Sequence, residues 1–390
     1  MENAMVAMIS RTMASTIKNM KSPSHKSEAK SERGFTLVEL MISMAIGLTV
    51  MAAMASLFNT AMTSTILVTQ RSETQQNMRA GLDLMVKDLS LAGAGLPSGG
   101  IQLPINGSAS LSKFGCDQGG TCHVVNFNYP GNYMYGLIPG FSNGVEAGAS
   151  IPAAPAPTIN DSVTSIYCDY NFPLFEYQVT AFGASGGSIS LAVNPLYAAN
   201  PPPLINANGG IVVGDLIMIS NSAGTAVGEV TSLSSGGSGS SETGSITFGN
   251  LDPLNINQGA AGISNNIAAI SGGSSTTVYR LYAVTYYLTV PGAGQTPRLM
   301  RQVNGLTPVP VADDIINLQV AYDVYNTTTS ALDANQANPI GVGESPNNIQ
   351  KINLVVMGES ILNNTGKHSQ SMYLATDVAA RNMAFRNLYK

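Results

Sequence analysis

Three residues near the start of the chain are of types and spacing that could take part in chemistry. Gly34 and Phe35 join a basic stretch to a long apolar one, so the small residue precedes the apolar run and cleavage there would leave that run on the mature protein. Glu39 is the only charged residue from Phe35 to Gln70. A carboxylate in an apolar helix is costly and tends to be paired. The alternative is a charge near the membrane edge that reaches water, but the position of Glu39, five residues into the segment that cleavage after Gly34 would free, favours a functional role.

Histidines and cysteines offer little for catalysis. No nucleophile elbow, P-loop, HExxH or Rossmann glycine motif occurs, so we predict no enzyme, no cofactor and no metal site. Cys116 and Cys122 could form a disulfide across a short loop in an exported protein, but a third cysteine, Cys168, leaves the connectivity open. His123 is expected to be a solvated neighbour of that loop. The other histidines are His25 and His368.

One acidic segment partly resembles a calcium-binding loop. Asp333, Asn335 and Glu344 occupy the first, third and twelfth positions of an EF-hand loop. The fifth ligand and the glycine at the sixth position are missing, and Pro339 interrupts the segment. A polar hairpin loop is the better interpretation.

A single long helix must position Glu39. Residues 35–96 contain no proline, and Gly93, Gly95 and Pro97 are expected to end the helix. Its first part is apolar over more than the ~20 residues that span a bilayer. In its second part, one helical face repeats apolar residues at i, i+4, i+7 and i+11, which predicts packing on the protein's own head. These residues are Met78, Leu82, Met85 and Leu89.

The charge distribution predicts orientation and excludes one class of partner. Residues 1–34 hold six Lys or Arg against three acids, and the whole chain carries −5. A basic segment before an apolar one stays cytoplasmic. The acidic remainder argues against direct nucleic-acid binding.

The rest of the chain predicts an antiparallel, β-rich head, so the fold class is α+β. Residues 98–160 are rich in loop-forming residues, 234–245 are expected to be a mobile Gly/Ser-rich loop, and 377–389 a short helix or strand. We predict hairpins of 176–181 with 188–193 and of 210–220 with 226–233, and a pair of 315–325 with 349–357 around a polar loop. Further strands are predicted at 163–170, 278–290 and 298–303. The expected organisation is a leader over 1–34, the helix over 35–96 and the head over 97–390.

The processing motif of type IV prepilins and type II secretion pseudopilins closely resembles residues 33–42, Arg33-Gly34-Phe35-Thr36-Leu37-Val38-Glu39-Leu40-Met41-Ile42. The resemblance implies that a membrane prepilin peptidase cuts between Gly34 and Phe35, and that Phe35 is N-methylated. It also implies that Glu39 pairs with the amino terminus of a neighbouring subunit. A leader of 34 residues is long for this family, and Met20 is an alternative start.

Weaker similarities extend over most of the chain and resemble the PilW-like minor pilins. They are Gly214-Asp215-Leu216-Ile217, Tyr286-Tyr287 before Arg298-Leu299-Met300-Arg301, residues 311–322, and Ala380-Arg381-Asn382. This resemblance implies a minor subunit that primes or joins a type IV pilus and supports pilus biogenesis, adhesion or motility. Its implied partners are other pilin subunits, the prepilin peptidase and the inner-membrane assembly platform. The implied location is the inner membrane, in a single pass with a cytoplasmic N-terminus, and then the pilus at the cell surface.

Two alternatives remain at this level. A pseudopilin of a type II secretion system would share the same motif and assembly physics. A membrane-anchored surface binding protein that never polymerises would use the apolar helix only as an anchor.

Overall fold

A computed structural model describes residues 34–103, 114–117, 119, 121–123, 133–146, 149, 160–196, 201–206, 209–250, 252–257, 265–292, 295–360 and 370–383. The leader expected over 1–34 lies outside them except for Gly34, as do His25 and His368. Internal contacts divide the chain into two compact units, Met1–Ser64 and Thr65–Lys390. The second unit therefore includes both the end of the long helix and the head.

The long helix predicted from the sequence is confirmed. Helix α1 spans Leu37–Ser90, 54 residues. It ends six residues earlier than expected because Gly93 and Gly95 adopt φ values of +80° and +75°, which glycine tolerates and a helix does not. The main-chain N–H of Gly93 donates to the Ile166 carbonyl at 2.8 Å. Directly after the helix, the chain is thus hydrogen-bonded to the head.

The head is built from strands. In chain order they are β1 (Ile101–Gln102), β2 (Tyr133–Met134), β3 (Leu137–Gly140), β4 (Ser162–Cys168), β5 (Tyr177–Phe182), β6 (Ser188–Val193), β7 (Leu216–Asn221), β8 (Gly224–Glu229), β9 (Ser232–Gly236), β10 (Thr243–Thr247), β11 (Thr277–Thr289), β12 (Arg298–Val303), β13 (Val309–Asp313), β14 (Ile315–Asn326), β15 (Ala331–Gln336), β16 (Ile349–Ser360) and β17 (Gln370–Ala379). A short helix, α2 (Asn265–Ala269), precedes β11.

Among the described residues, these strands form four antiparallel sheets. The largest has the order β13-β12-β11-β4-β3, with β7 also pairing with β11 and β8 with β7. Two four-stranded sheets have the orders β5-β6-β10-β9 and β15-β14-β16-β17, and β1 pairs with β2. The predicted pairings of β5 with β6, β7 with β8 and β14 with β16 are confirmed, and so is the α+β class.

The expectation of a mobile loop over residues 234–245 is wrong. Ser232–Gly236 and Thr243–Thr247 are strands β9 and β10, which pair with each other, and β10 also pairs with β6. Ile246 lies opposite Ile189 on β6, and both side chains are buried. Cross-strand packing thus outweighs the weak β-propensity of glycine and serine.

The strand predicted over 210–220 is too long at its start, because the preceding residues surround a buried cation. The guanidinium of Arg280 donates to the carbonyls of Gly209 and Gly210 at 3.1 and 2.8 Å. It also donates to Asp169 Oδ2 and lies 3.6 Å from Asp215 Oδ2. A chain that wraps around this group cannot pair as a strand, so β7 begins at Leu216.

One further expectation is corrected near the end of the chain. The polar loop expected between β14 and β16 contains a strand, β15, which pairs with β14. The short helix or strand predicted over 377–389 is confirmed in its described part, since 377–379 end β17 and 381–383 are helical, although β17 begins earlier, at Gln370, where it pairs with Ser360 of β16. Residues 384–389 lie outside the described residues.

The second part of α1 forms the main core with the head. Met78, Met85 and Leu89 are fully buried and Leu82 is 6% exposed, so the predicted apolar face is confirmed. They pack in one cluster with residues of β11, β12, β14 and β16, among them Tyr286, Leu299, Leu318 and Val356. A Cβ at Gly81 would lie 3.1 Å from Ala312 Cβ, so the helix approaches β13 closely.

Candidate functional site

The start of α1 is closed by reciprocal hydrogen bonds between Thr36 and Glu39. The Glu39 N–H donates to Thr36 Oγ1 at 3.3 Å, and the Thr36 N–H donates to Glu39 Oε2 at 2.9 Å. The Thr36 hydroxyl also donates to Glu39 Oε2, at 3.1 Å. This is a capping box, in which Thr36 is the N-cap and Glu39 the third helical residue. The local signal that predicts it is the Thr-x-x-Glu spacing, so Thr36 is a site residue that the processing motif alone does not single out.

Only one of the two carboxylate oxygens of Glu39, Oε2, accepts hydrogen bonds in the capping box. Both contacts with Thr36 go to Oε2. Among the hydrogen bonds of the described residues, none involves Oε1. The side chain is exposed, so Oε1 remains accessible to a cation.

Gly34 and Phe35 lie before the helix in exposed, non-helical backbone. Phe35 is 85% exposed. Among the residues that the structure describes, none would lie within 4 Å of a Cβ built on Gly34. The described part of the fold therefore places no steric demand for glycine at position 34.

The first part of α1 carries a continuous apolar surface. Side chains such as Leu37, Met44, Leu57 and Phe58 are exposed. The helix contains an 18-residue window of mean hydropathy 2.0, none of it buried within the chain. By length and composition it can cross a membrane. Such a surface needs either lipid or a protein partner.

At the other end of α1, Asp88 ties the helix to the head. Its carboxylate accepts hydrogen bonds from Tyr286 Oη at 2.6 Å, from Arg301 Nε at 2.7 Å and from Tyr167 Oη at 3.2 Å. The Asp88 carbonyl accepts from Ser165 Oγ. Burial and the neighbouring Asp88 charge raise the pKa of Tyr286, so its hydroxyl stays protonated and donates.

In the sequence, nothing distinguishes Asp88 from the other charges on the second part of the helix. Its partners lie 77 to 213 residues away along the chain. No local pattern could have identified them.

The two cysteines of the short loop are joined in the structure. Cys116 and Cys122 form a disulfide, and the buried Cys168 takes no part in it. The expectation of a solvated His123 is wrong. Its side chain is only 13% exposed, and its ring nitrogens lie 2.7 Å from Glu146 Oε1 and 3.0 Å from Asp117 Oδ2.

The ring of His123 also stacks on Tyr287 of β11, with 6.0 Å between centroids. The loop is therefore held against the largest sheet by this stacking and by Glu146, whose N–H donates to the Leu288 carbonyl of β11. Glu146 was not visible as a partner of His123 in the sequence because it lies 23 residues away.

In the segment with partial EF-hand spacing, the acidic side chains accept hydrogen bonds from other groups of the protein. Asp333 lies on β15 and its Oδ2 accepts from Asn326 Nδ2 at 2.8 Å. Glu344 Oε2 accepts from the Gly341 N–H at 3.1 Å. Within the part of the chain that the structure describes, no group of three or more His, Cys, Asp or Glu side chains is placed to hold a metal ion.

Comparison with known families finds one match, the prokaryotic N-terminal methylation motif, over residues 29–55. It includes Gly34, Phe35, Thr36 and Glu39 and the exposed start of α1, and it does not extend to the head. No curated protein and no solved structure matches the chain.

Proposed function

We propose that this chain, whose N-terminal methylation motif is consistent with the type IV prepilin and pseudopilin family, is a large minor pilin of the PilW-like kind. One observation carries the proposal. The matched motif lies at the start of an exposed apolar helix, and the same helix ends in the core of a β-rich head. That combination provides a membrane anchor before assembly and a packing surface after it.

In the proposed sequence of events, Gly34, Phe35 and Glu39 each have one role. The chain inserts in the inner membrane with its N-terminus in the cytoplasm. A prepilin peptidase cuts between Gly34 and Phe35, and the amine of Phe35 is methylated. The amino terminus of a neighbouring subunit then pairs with Glu39, because a carboxylate removed from water needs a cation. The other proposed partners are further pilin subunits and the assembly platform.

In this proposal the protein is structural and not an enzyme. The apolar half of α1 packs with other subunits, and the head contacts whatever the filament meets. The head extends over residues 97–390, and we expect so large a head to fit a tip or initiating position better than a tightly repeated shaft. Adhesion, motility or pilus priming would follow from that position.

Mass spectrometry of sheared surface filaments tests this proposal directly. The expected result is a mature chain that begins at methylated Phe35. A surface-exposed chain that still begins upstream of Phe35 would contradict processing.

Substitution of Glu39 tests assembly separately from anchoring. We expect Glu39→Ala to leave the protein in the membrane and to reduce its recovery in filaments to background. Glu39→Gln should do the same, because glutamine can still complete a capping box but carries no charge. Glu73→Ala, which removes an exposed carboxylate from the same helix, is the matched control.

The two alternatives make different predictions. If the protein is an anchored binding protein that never polymerises, Glu39→Ala will leave its surface function intact. If it is a type II pseudopilin, its assembly will require the secretion machine and not the pilus genes. Deletion of each machine in turn, with recovery of the protein in sheared fibres as the measurement, separates these cases.

A further inference from the structure

We propose that the Glu146 carboxyl and the Thr289 hydroxyl condense into an ester, which would be a covalent cross-link between the segment after β3 and the end of β11. The two groups contact each other, and His123 contacts the same carboxyl through its other oxygen. The proposal concerns the head alone and is independent of the processing motif and of assembly through α1.

The Glu146 carboxyl is held by a different group at each oxygen. Oε2 accepts a hydrogen bond from the Thr289 hydroxyl, and Oε1 lies 2.7 Å from Nδ1 of His123. Nε2 of His123 lies 3.0 Å from Asp117 Oδ2, so the ring faces a carboxylate at both nitrogens. A hydroxyl, a carboxyl and a histidine oriented by an acid are the groups that acyl transfer to an oxygen nucleophile requires.

The main chain fixes the hydroxyl and the carboxyl next to each other. Val145 and Leu288 form a parallel bridge. The Glu146 N–H donates to the Leu288 carbonyl at 2.9 Å, and the Leu288 N–H donates to the Gly144 carbonyl at 2.7 Å. Groups that are held and well oriented in this way react as though they were present at ~10⁵–10⁸ M. Because this is far above the concentration of water, condensation is favoured over hydrolysis.

The surroundings limit the access of water to the linked atoms. Thr289 is 6% exposed, and the ring of His123 stacks on the buried Tyr287. The Glu146 side chain is 27% exposed, which gives a released water molecule a route to solvent. An ester at this position is therefore shielded on the side of β11.

The reaction balances without a co-reactant. Thr289 Oγ1 attacks Glu146 Cδ and forms the new bond, the hydroxyl proton passes to Oε2, and the imidazolium of His123 gives its Nδ1 proton to Oε1. The bond between Cδ and Oε1 then breaks, the proton on Oε2 passes to Oε1, and Oε1 leaves as water. Oε2 becomes the ester carbonyl oxygen. A carboxylate, a hydroxyl and an imidazolium thus give an ester, water and a neutral imidazole, with no change in oxidation state.

Intact-mass spectrometry of the isolated full chain, with its disulfide preserved, tests the proposal. The measured mass should be lower by one water molecule than the mass calculated for the observed N-terminus. Proteolysis should release the peptides that contain Glu146 and Thr289 joined together, and hydroxylamine, which cleaves esters, should separate them. A mass equal to the calculated one overturns the proposal.

Substitutions locate the lost water. We expect Thr289→Val to have the full calculated mass and Thr289→Ser to keep the cross-link. Thr277→Val, at the other end of β11, is the matched control, because the Thr277 hydroxyl donates to the Ser220 carbonyl at 3.2 Å, and it should also keep the cross-link. If Thr289→Val does not fold, Glu146→Ala decides in the same way. A loss of water that persists in either variant places the modification elsewhere and overturns the proposal.

The rate of linkage tests the part of His123. The full chain is made by cell-free synthesis into detergent micelles, and the fraction that has lost one water is followed with time. We expect His123→Gln to slow the linkage about a hundredfold or more, the usual contribution of a general acid. An unchanged rate overturns the role of His123 and leaves the cross-link standing.

Discussion

At the residue scale, the two acids that matter most on α1 are held in opposite ways. Glu39, at the start of the helix, is exposed, and among the described residues its carboxylate is bonded only to its neighbour Thr36. Asp88, near the end of the helix, is buried and bonded to three side chains from distant strands. The first is available to another molecule, and the second is committed to the fold.

We therefore expect Asp88→Asn to destabilise the head. Removal of one partner from a buried ion pair typically costs ~3–5 kcal/mol, and the low end applies here because Arg301 is partly exposed. The measurement is urea unfolding of the full-length protein in detergent, followed by circular dichroism.

Asp83→Asn is the matched control for that experiment, since Asp83 is an exposed acid on the same helix. We expect it to change the free energy of unfolding by less than about 0.5 kcal/mol. Equal losses in the two variants would contradict a special role for Asp88.

At the element scale, the first and second parts of α1 lie in two different environments. Up to residue 66 its side chains are exposed, whereas Met78, Met85 and Leu89 are buried among the strands of the head. The helical periodicity of the second part was visible in the sequence because helix packing repeats over three or four residues. Stability of the head should therefore depend on methionines in the second part and not on those in the first.

The prediction at this scale compares two methionines of the same helix. Met85→Ala should lower the free energy of unfolding of the head by ~2–5 kcal/mol, because it leaves a cavity in the main core. Met54→Ala should change it by less than about 0.5 kcal/mol, since Met54 is 65% exposed. The same urea titration measures both, and similar effects would show that the first part of the helix also supports the head.

At the scale of the whole molecule, buried acids give the head a defined dependence on pH. Burial raises the pKa of Asp161 and of Asp215. Asp323 differs. Burial opposes its ionisation, but hydrogen bonds from the Asn335 N–H, Lys351 and Asn353 together lower its pKa. Asp323 thus joins β14, β15 and β16 through its charged form.

A group whose pKa is lower in the folded state stabilises the fold above its unfolded pKa, and that contribution is lost as the pH falls through the folded value. We expect Asp323→Asn to lower the unfolding free energy at neutral pH by about 1 kcal/mol, an amount typical of one or two hydrogen bonds. The difference from the wild type should shrink below about pH 4, near the ordinary Asp pKa.

Urea unfolding at several pH values measures this dependence. Asp377→Asn, which changes an exposed acid on β17, is the control and should leave the pH profile unchanged. A difference for Asp323→Asn that stays constant down to low pH would show that its ionisation does not contribute.

The sequence by itself determined the features that depend on neighbouring residues. They are the helix from Leu37, its apolar start, its buried face at Met78 and Met85, and several hairpins with clear turns. Even the capping box follows from Thr36 and Glu39, three positions apart. Each of these is local, because a helix or a tight turn is stabilised by contacts within a few residues.

Only the tertiary structure decided the features that join distant segments. Strands β9 and β10 form because Ile246 meets Ile189, despite a Gly/Ser-rich sequence. Asp88 contacts Tyr286 and Arg301 because the sheet packs against the helix, and the side chain of His123 is largely buried because the fold brings Glu146 to it. Strand pairing and buried ion pairs depend on long-range contacts, so their energy is absent from any local pattern.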